Sequence, residues 1–181
     1  MKFQALALAL FASTGLSIPI AQDDLPPVYT LRLSSRVESL DGAYITANGT
    51  LLGVYSRSTA PVQFTPVVNP ETGLAELRTY PEGSNALALI GSNDLLDFAS
   101  LEDPAGVNVP DGTTVDWTSF KLDEGAQEEG NVLEYVKGEG VWVAFPRGNE
   151  GDWSVKWKGV EAWTTTDYMP VKVVYELAET A

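Results

Sequence analysis

The sequence predicts an all-β fold, and three observations carry this prediction. From Val28 to the C-terminus, no stretch shows the periodicity of an amphipathic helix. Many short runs are instead rich in β-branched and aromatic residues, which favour strands. Glycine, proline, asparagine and aspartate separate these runs at regular spacing, which is typical of a barrel or a sandwich rather than a parallel sheet.

The strand rules give twelve short candidate strands. They are Tyr29–Leu33, Ala43–Ala47, Leu51–Tyr55, Val62–Val67, Ala75–Tyr80, Ala86–Ile90, Leu95–Ala99, Trp117–Leu122, Val132–Val136, Val141–Phe145, Trp153–Lys158 and Val171–Leu177.

The twelve strands fall into three groups of four with one internal layout. In each group a tight turn joins the second and third strands, and a longer connection leads to the fourth. The turns are Asn48-Gly49, Gly91–Asp94 and Arg147–Asp152, and Asn-Gly is the strongest short hairpin signal. Three such units predict a β-trefoil-like barrel, with a β-sandwich as the alternative. Two remaining segments, Ser100–Asp116 and Asp123–Gly130, have the composition of surface loops.

The N-terminus has the features of a secretory signal peptide. Lys2 precedes an apolar run from Ala5 to Ala12, and small residues follow. We expect cleavage after Ser17 or Ala21, so residues 1–21 are the signal and residues 22–181 form a single all-β domain. A buried N-terminal helix is the alternative. The signal predicts a secreted protein, located extracellularly or in a cell wall.

Charge and composition exclude several classes of function. The net charge is −14, whereas nucleic acids and anionic membranes require a basic surface. We therefore expect no nucleic-acid partner, no membrane partner once the protein is mature, and a monomer. The chain contains no cysteine and no histidine, which excludes Ser-His-Asp, Cys-His and histidine-ligated zinc chemistry.

Paired carboxylates are the remaining route to catalysis, because a glycosidase needs only Asp and Glu. Asp94 with Asp97, or Glu134 with Glu139, are the nearest candidates, but no sequence pattern places either pair across a cleft. The acidic Asp123–Gly130 segment lacks the ligand ladder of an EF-hand. We predict no catalytic residue, no metal and no cofactor.

Asn48-Gly49-Thr50 matches the acceptor motif for N-glycosylation at a predicted hairpin tip. In a secreted protein this motif predicts a glycan on Asn48. The alternative is that Asn48-Gly49 serves only as the turn.

Four of the five tryptophans lie between Trp142 and Trp163. Strand alternation places Trp153, Val155 and Trp157 on one apolar face, which we expect to be core. In the preceding strand, Val141, Val143 and Phe145 share a face opposite Trp142. Trp142 and Trp163 fall outside the alternation and are the candidate ligand-binding residues, since tryptophan is a common anchor at binding surfaces.

The order of motifs resembles that of small fungal secreted proteins of the phialide cell-wall protein type. The similar segments are YTLRLSS, LDGAYITANGTLLGVY, DWTSFKLDEG and NVLEYVKGEGVWVAFPRGNEGDWSVKW, followed by YMPVKVVYEL. The positions that match the family's motifs are Trp117, Leu133–Tyr135, Ala144–Pro146, Trp153-Ser154 and Tyr168–Val171. Two cysteines of the family pattern are missing here, which fits a disulfide replaced by apolar packing through Phe145.

The resemblance implies a non-enzymatic, wall-associated or apoplastic protein, in some cases acting during host contact. Its expected partner is a cell-wall polysaccharide or an extracellular protein. The alternatives are a carbohydrate-binding lectin of the β-trefoil type, a proteinase inhibitor acting through a loop, and an acid-pair glycosidase. Fold alone cannot distinguish these functions, because one fold hosts several of them.

Overall fold

A computed structural model describes residues 26–58, 60–123, 131–148 and 151–178. These residues form fourteen β-strands and contain no helix. The strands are β1 (Tyr29–Ser34), β2 (Thr46–Asn48), β3 (Leu51–Val54), β4 (Gln63–Val68), β5 (Ala75–Thr79), β6 (Ala86–Ser92), β7 (Leu95–Leu101), β8 (Thr113–Asp116), β9 (Phe120–Asp123), β10 (Asn131–Tyr135), β11 (Gly140–Pro146), β12 (Trp153–Gly159), β13 (Met169–Pro170) and β14 (Lys172–Leu177). Within the described ranges, no helix is long and apolar enough to cross a membrane.

The all-β prediction is confirmed, and each of the twelve predicted strands overlaps an observed one. The prediction that Ser100–Asp116 is a loop is wrong at both ends. Strand β7 continues to Leu101, and β8 pairs with the outer side of β6, with Val115 opposite Ile90. This strand was missed because its four residues, Thr-Thr-Val-Asp, carry only one large apolar side chain. The proposed signal peptide and residues 124–130 of the acidic segment lie outside the described residues.

Six strands close into an antiparallel barrel. The ring runs β1, β4, β5, β9, β10, β14 and back to β1, and every pairing in it is antiparallel. The pairing of Ala75 in β5 with Phe120 in β9 closes the ring. A closed ring differs from the two separate sheets of a sandwich, so the sandwich alternative is wrong.

Six further strands form three hairpins: β2 with β3, β6 with β7, and β11 with β12. Each hairpin also pairs with the other two, through Gly53 and Ser154, Leu51 and Ala99, and Leu96 and Trp157. The strands approach closely at Gly53, where a Cβ atom would collide with the carbonyl oxygen of Trp153. Glycine is therefore required where the first and third hairpins meet.

One hydrophobic core joins the ring to the hairpins. Every ring strand contributes a side chain with no exposed surface: Leu31, Phe64, Leu77, Phe120, Leu133 and Val173. Phe98, from the second hairpin, lies 6.2 Å from Phe120 and 5.1 Å from Trp142 between ring centroids. Because the chain has no cysteine, no disulfide supports this packing.

The first two hairpin turns overlap their predicted positions, but the first is displaced by one residue and the second excludes Gly91 and Ser92, which belong to β6. Asn48 pairs with Leu51, so the two loop residues are Gly49 and Thr50 rather than Asn48 and Gly49. Gly49 has φ of 62°, which suits the first central position of a type II′ turn. In the second hairpin, Asn93 and Asp94 form the loop with φ of 52° and 58°, as a type I′ turn requires.

Candidate ligand-binding site

Trp163 is the most exposed large apolar side chain among the described residues, with 82% of its surface accessible. It lies in the connection between β12 and β13. The neighbouring Ala162 is buried and donates its N–H to the carbonyl oxygen of Gly159 over 3.1 Å. The backbone beside Trp163 is thus anchored while the indole faces solvent.

A cleft of about 220 Å³ lies beside the start of this connection. It is lined by Asp94, Leu96, Thr114, Tyr135, Lys137, Gly138, Glu139, Trp157, Gly159 and Val160. Val160 therefore belongs to the cleft and precedes Trp163 by only three positions in the sequence. A neighbouring groove of about 500 Å³ shares four lining residues with the cleft: Tyr135, Gly138, Glu139 and Trp157.

Two backbone hydrogen bonds fix the acidic residues at the cleft. Gly159 donates its N–H to the carbonyl oxygen of Asp94 over 2.7 Å, and Val160 donates to that of Glu139 over 3.1 Å. A Cβ atom on Gly159 would lie 2.8 Å from Cβ of Asp94, so glycine lets the Asp94 side chain pack against the end of β12. The geometry brings Asp94 and Glu139 to the same cleft from distant parts of the chain.

The buried carboxylate of Asp116 contacts two of the side chains that line the cleft. Asp116 is only 3% exposed, and its Oδ2 accepts hydrogen bonds from Ser119 Oγ at 2.9 Å and Tyr135 OH at 3.3 Å. Lys137 Nζ lies 3.0 Å from the same oxygen, and the N–H of Thr118 donates to Oδ1 over 3.1 Å. Asp116 thereby orients two cleft-lining side chains, Tyr135 and Lys137.

The pKa shifts follow from this arrangement. Burial by itself raises the pKa of Asp116, but the hydrogen bonds from Lys137, Thr118 and Ser119 outweigh burial and leave the pKa below its ordinary value. Burial raises the pKa of Tyr135, and the charge and hydrogen bond of Asp116 raise it further. Asp116 is therefore anionic and Tyr135 is a neutral donor at neutral pH.

The structure places Trp142 in the core, with 5% of its surface exposed. Its Nε1 donates to the carbonyl oxygen of Leu133 over 2.9 Å, and its ring packs edge-on against Trp157 with centroids 5.6 Å apart. The sequence made Trp142 a candidate because it lies on the face of β11 opposite Val143 and Phe145. Both faces are covered, because Phe145 on the opposite face packs against Tyr168 at 5.5 Å. Trp142 also lines the larger groove, and Trp163 is the candidate tryptophan that faces solvent.

The predicted apolar face of β12 is present. Val155 and Trp157 belong to the core, and Trp153 is partly buried against it. Trp157 also packs edge-on against Tyr135 with centroids 5.3 Å apart. Trp157 and Tyr135 both line the cleft, so side chains of the hydrophobic core form part of the cleft surface.

The predicted carboxylate pairs have different surroundings. Asp97 forms an ion pair with Lys156 at 2.8 Å rather than lining the cleft beside Asp94. Glu134 lies 3.5 Å from Lys121 and lines the larger groove together with Glu139. The arrangement offers carboxylates, an ammonium group and a phenol to a polar ligand.

Asn48 lies at the exposed tip of the first hairpin, and neither Asn48, Gly49 nor Thr50 lines the cleft. No pattern in the sequence indicated that Asp116 lies beside Tyr135 and Lys137, since Asp116 comes from a separate strand, β8. A hint for the cleft was the Lys137–Glu139 segment between β10 and β11, whose charged residues interrupt an apolar region.

Among the described residues, no group of three or more acidic side chains converges in a way that could hold a metal ion. Comparison of the chain with protein-family models, with curated proteins and with solved structures finds no match.

Proposed function

We propose that this chain is a secreted, non-enzymatic protein with a β-trefoil fold that binds a neutral cell-wall polysaccharide through Trp163 and the adjoining cleft. The observation that carries the proposal is the position of Trp163. Trp163 has an indole that is 82% exposed, and it follows by three positions Val160, which lines a polar cleft, whereas Trp142 and Trp157 are buried.

The strand order supports a β-trefoil. The ring contains the first and fourth strand of each predicted four-strand unit: β1 and β4, β5 and β9, and β10 and β14. The three hairpins contain the second and third strands, and they pair with one another around a common centre. A β-trefoil requires three four-strand units, each with two strands in the ring and two in a hairpin.

The chemistry of the site favours a sugar. An exposed indole offers a flat apolar face, and the cleft adds a small number of polar groups that can fix the orientation of a ligand. Asp94 and Glu139 accept hydrogen bonds from hydroxyl groups, and Lys137 donates them. The net charge of −14 opposes a polyanionic glycan, so a neutral polysaccharide fits better.

Location in a cell wall or the extracellular space rests on the sequence. Residues 1–21 have the pattern of a signal peptide, and the motif order resembles secreted wall proteins of the phialide type. The absence of histidine and cysteine and the ion pair that engages Asp97 support a binding role rather than catalysis.

Pull-down of the purified mature protein with insoluble β-glucan and with chitin tests this function. We expect binding to at least one polysaccharide, and Trp163→Ala should weaken it by about tenfold or more, equivalent to about 1.4 kcal/mol. Tyr44→Ala is the matched control, because Tyr44 is also an exposed aromatic residue but lies between β1 and β2, in a different connection from Trp163.

The proposal fails if the wild-type protein binds neither polysaccharide, or if Trp163→Ala and Tyr44→Ala weaken binding equally. Glu139→Gln adds a test of the cleft itself. It should reduce binding without lowering the melting temperature, since Glu139 lies at an exposed turn.

A further inference from the structure

We propose that Asn48 carries an N-linked oligosaccharide, displayed at the tip of the first hairpin and clear of the polysaccharide-binding site. This inference rests on the secretion assumed in the proposed function, because the modifying machinery acts in the secretory pathway. It does not depend on what the cleft binds.

The sequence requirement is met at one place. Asn48-Gly49-Thr50 is the sole N-x-[ST] triplet of the chain with a permitted middle residue. The Nδ2 atom of Asn48 would attack the anomeric carbon of a lipid-linked oligosaccharyl pyrophosphate. A C–N bond forms, the C–O bond to the pyrophosphate breaks, and the amide loses one proton as the lipid pyrophosphate leaves.

The structure makes this amide accessible. All three residues of the triplet are exposed, and no hydrogen bond from the described residues engages the Asn48 side chain. Other asparagines are engaged: Asn85 Nδ2 donates to Ser100 Oγ at 3.2 Å, and Asn69 Oδ1 accepts from the N–H of Glu71 at 2.9 Å. Asn48 is thus an exposed asparagine whose amide no described neighbour holds.

Asn48 does not have to serve both as a residue of the tight turn and as the glycosylated residue. The tight turn uses Gly49 with φ of 62°, and a Cβ there would meet no atom within 4 Å. Asn48 lies one position earlier, at the end of β2 and opposite Leu51, so its side chain is not needed to shape the loop. A glycan on Asn48 therefore extends into open solvent while the hairpin stays formed.

The attachment point is separate from the cleft. The β2–β3 hairpin meets the second and third hairpins through Leu51 and Gly53, whereas the cleft is built from the β6–β7 turn, the β10–β11 turn and the end of β12. We expect the glycan to leave polysaccharide binding unchanged.

The test is secretion of the full chain from yeast, followed by intact-mass measurement before and after treatment with an endoglycosidase. The wild-type protein and Thr50→Ser, which keeps the motif, should lose one discrete oligosaccharide mass. Asn48→Gln and Thr50→Ala should show no glycan and no change on treatment. Equal melting temperatures of trimmed wild type and Asn48→Gln would show that the variant is folded.

A second version carries an established yeast leader in place of residues 1–21. If only this version is exported and glycosylated, the proposed secretion fails while the assignment of Asn48 stands. Secreted wild-type protein without a glycan in both versions would overturn the assignment. Equal polysaccharide pull-down by trimmed and untrimmed protein supports the separation from the cleft, and stronger binding after trimming would contradict it.

Discussion

The indole Nε1 of Trp142 donates a 2.9 Å hydrogen bond to the carbonyl oxygen of Leu133, and so links the third hairpin to strand β10 of the ring. This bond is buried, and the ring of Trp142 packs between Phe98 and Trp157. A residue that the sequence suggested for ligand contact therefore connects two parts of the core.

We predict that Trp142→Ala lowers the free energy of unfolding by about 3–5 kcal/mol, because it leaves a large cavity in the core. Trp142→Phe keeps most of the apolar volume but removes the donor to Leu133, and should cost about 1–3 kcal/mol. Urea denaturation measures both values. Trp163→Phe is the exposed control and should change stability by less than about 0.5 kcal/mol. Wild-type stability of Trp142→Ala would show that its burial is wrongly described.

For β12, we expect Trp157→Ala to cost about 3–5 kcal/mol, since Trp157 lies in the core against Trp142 and Tyr135. Trp153→Ala should cost less, because Trp153 is only partly buried. The same denaturation series compares the two. The ranking is contradicted if Trp153→Ala proves the more damaging change.

The Asp116 network predicts an acid-dependent loss of stability. The pKa of Asp116 is lower in the folded protein than its ordinary value of 3.8, so the unfolded chain takes up a proton first as the pH falls. Its contribution is fully present above about pH 5 and disappears as the pH falls through the lower folded pKa.

Asp116→Asn should therefore be less stable than the wild type at pH 7, and the difference should shrink as the pH falls below about 4. Denaturation of both proteins at pH 7, 5 and 3 measures this difference. The difference in unfolding free energy between the two proteins at each pH cancels the contribution of the other carboxylates, because both proteins contain them. A difference that stays constant over this range would argue against the ionised network.

Metal removal should have no effect. We expect EDTA to leave both the melting temperature and polysaccharide binding unchanged, because the acidic Asp123–Gly130 segment lacks a calcium-binding pattern. Scanning calorimetry with EDTA and with added calcium checks this. A melting temperature several degrees lower in EDTA would reveal a calcium site.

The signal-peptide prediction is tested by the N-terminus of exported protein. Edman sequencing should begin at Ile18 or Gln22, after cleavage behind Ser17 or Ala21. Secreted material that starts at Met1 would contradict the prediction.

Local chemistry determined much of the fold. Alternation and β-branched composition located twelve strands. Successive side chains of a strand point to opposite faces, so the pattern is visible within only a few residues. The turns at Gly49 and at Asn93-Asp94 were also predictable, since positive φ angles restrict residue choice. The positions of both turns differed slightly from the prediction, because Gly49 adopts the positive angle in the first turn and strand β6 extends through Gly91 and Ser92 before the second.

The tertiary structure decided what depends on distant segments. Strand β8 exists because β6 offers it an edge, and Trp142 is buried because β11 is covered on both faces. Asp94, Tyr135 and Glu139 meet at one cleft only after the hairpins pack against the ring. The sequence by itself determined which residues form strands and turns, whereas long-range packing decided which tryptophan faces solvent, since burial depends on neighbours far along the chain.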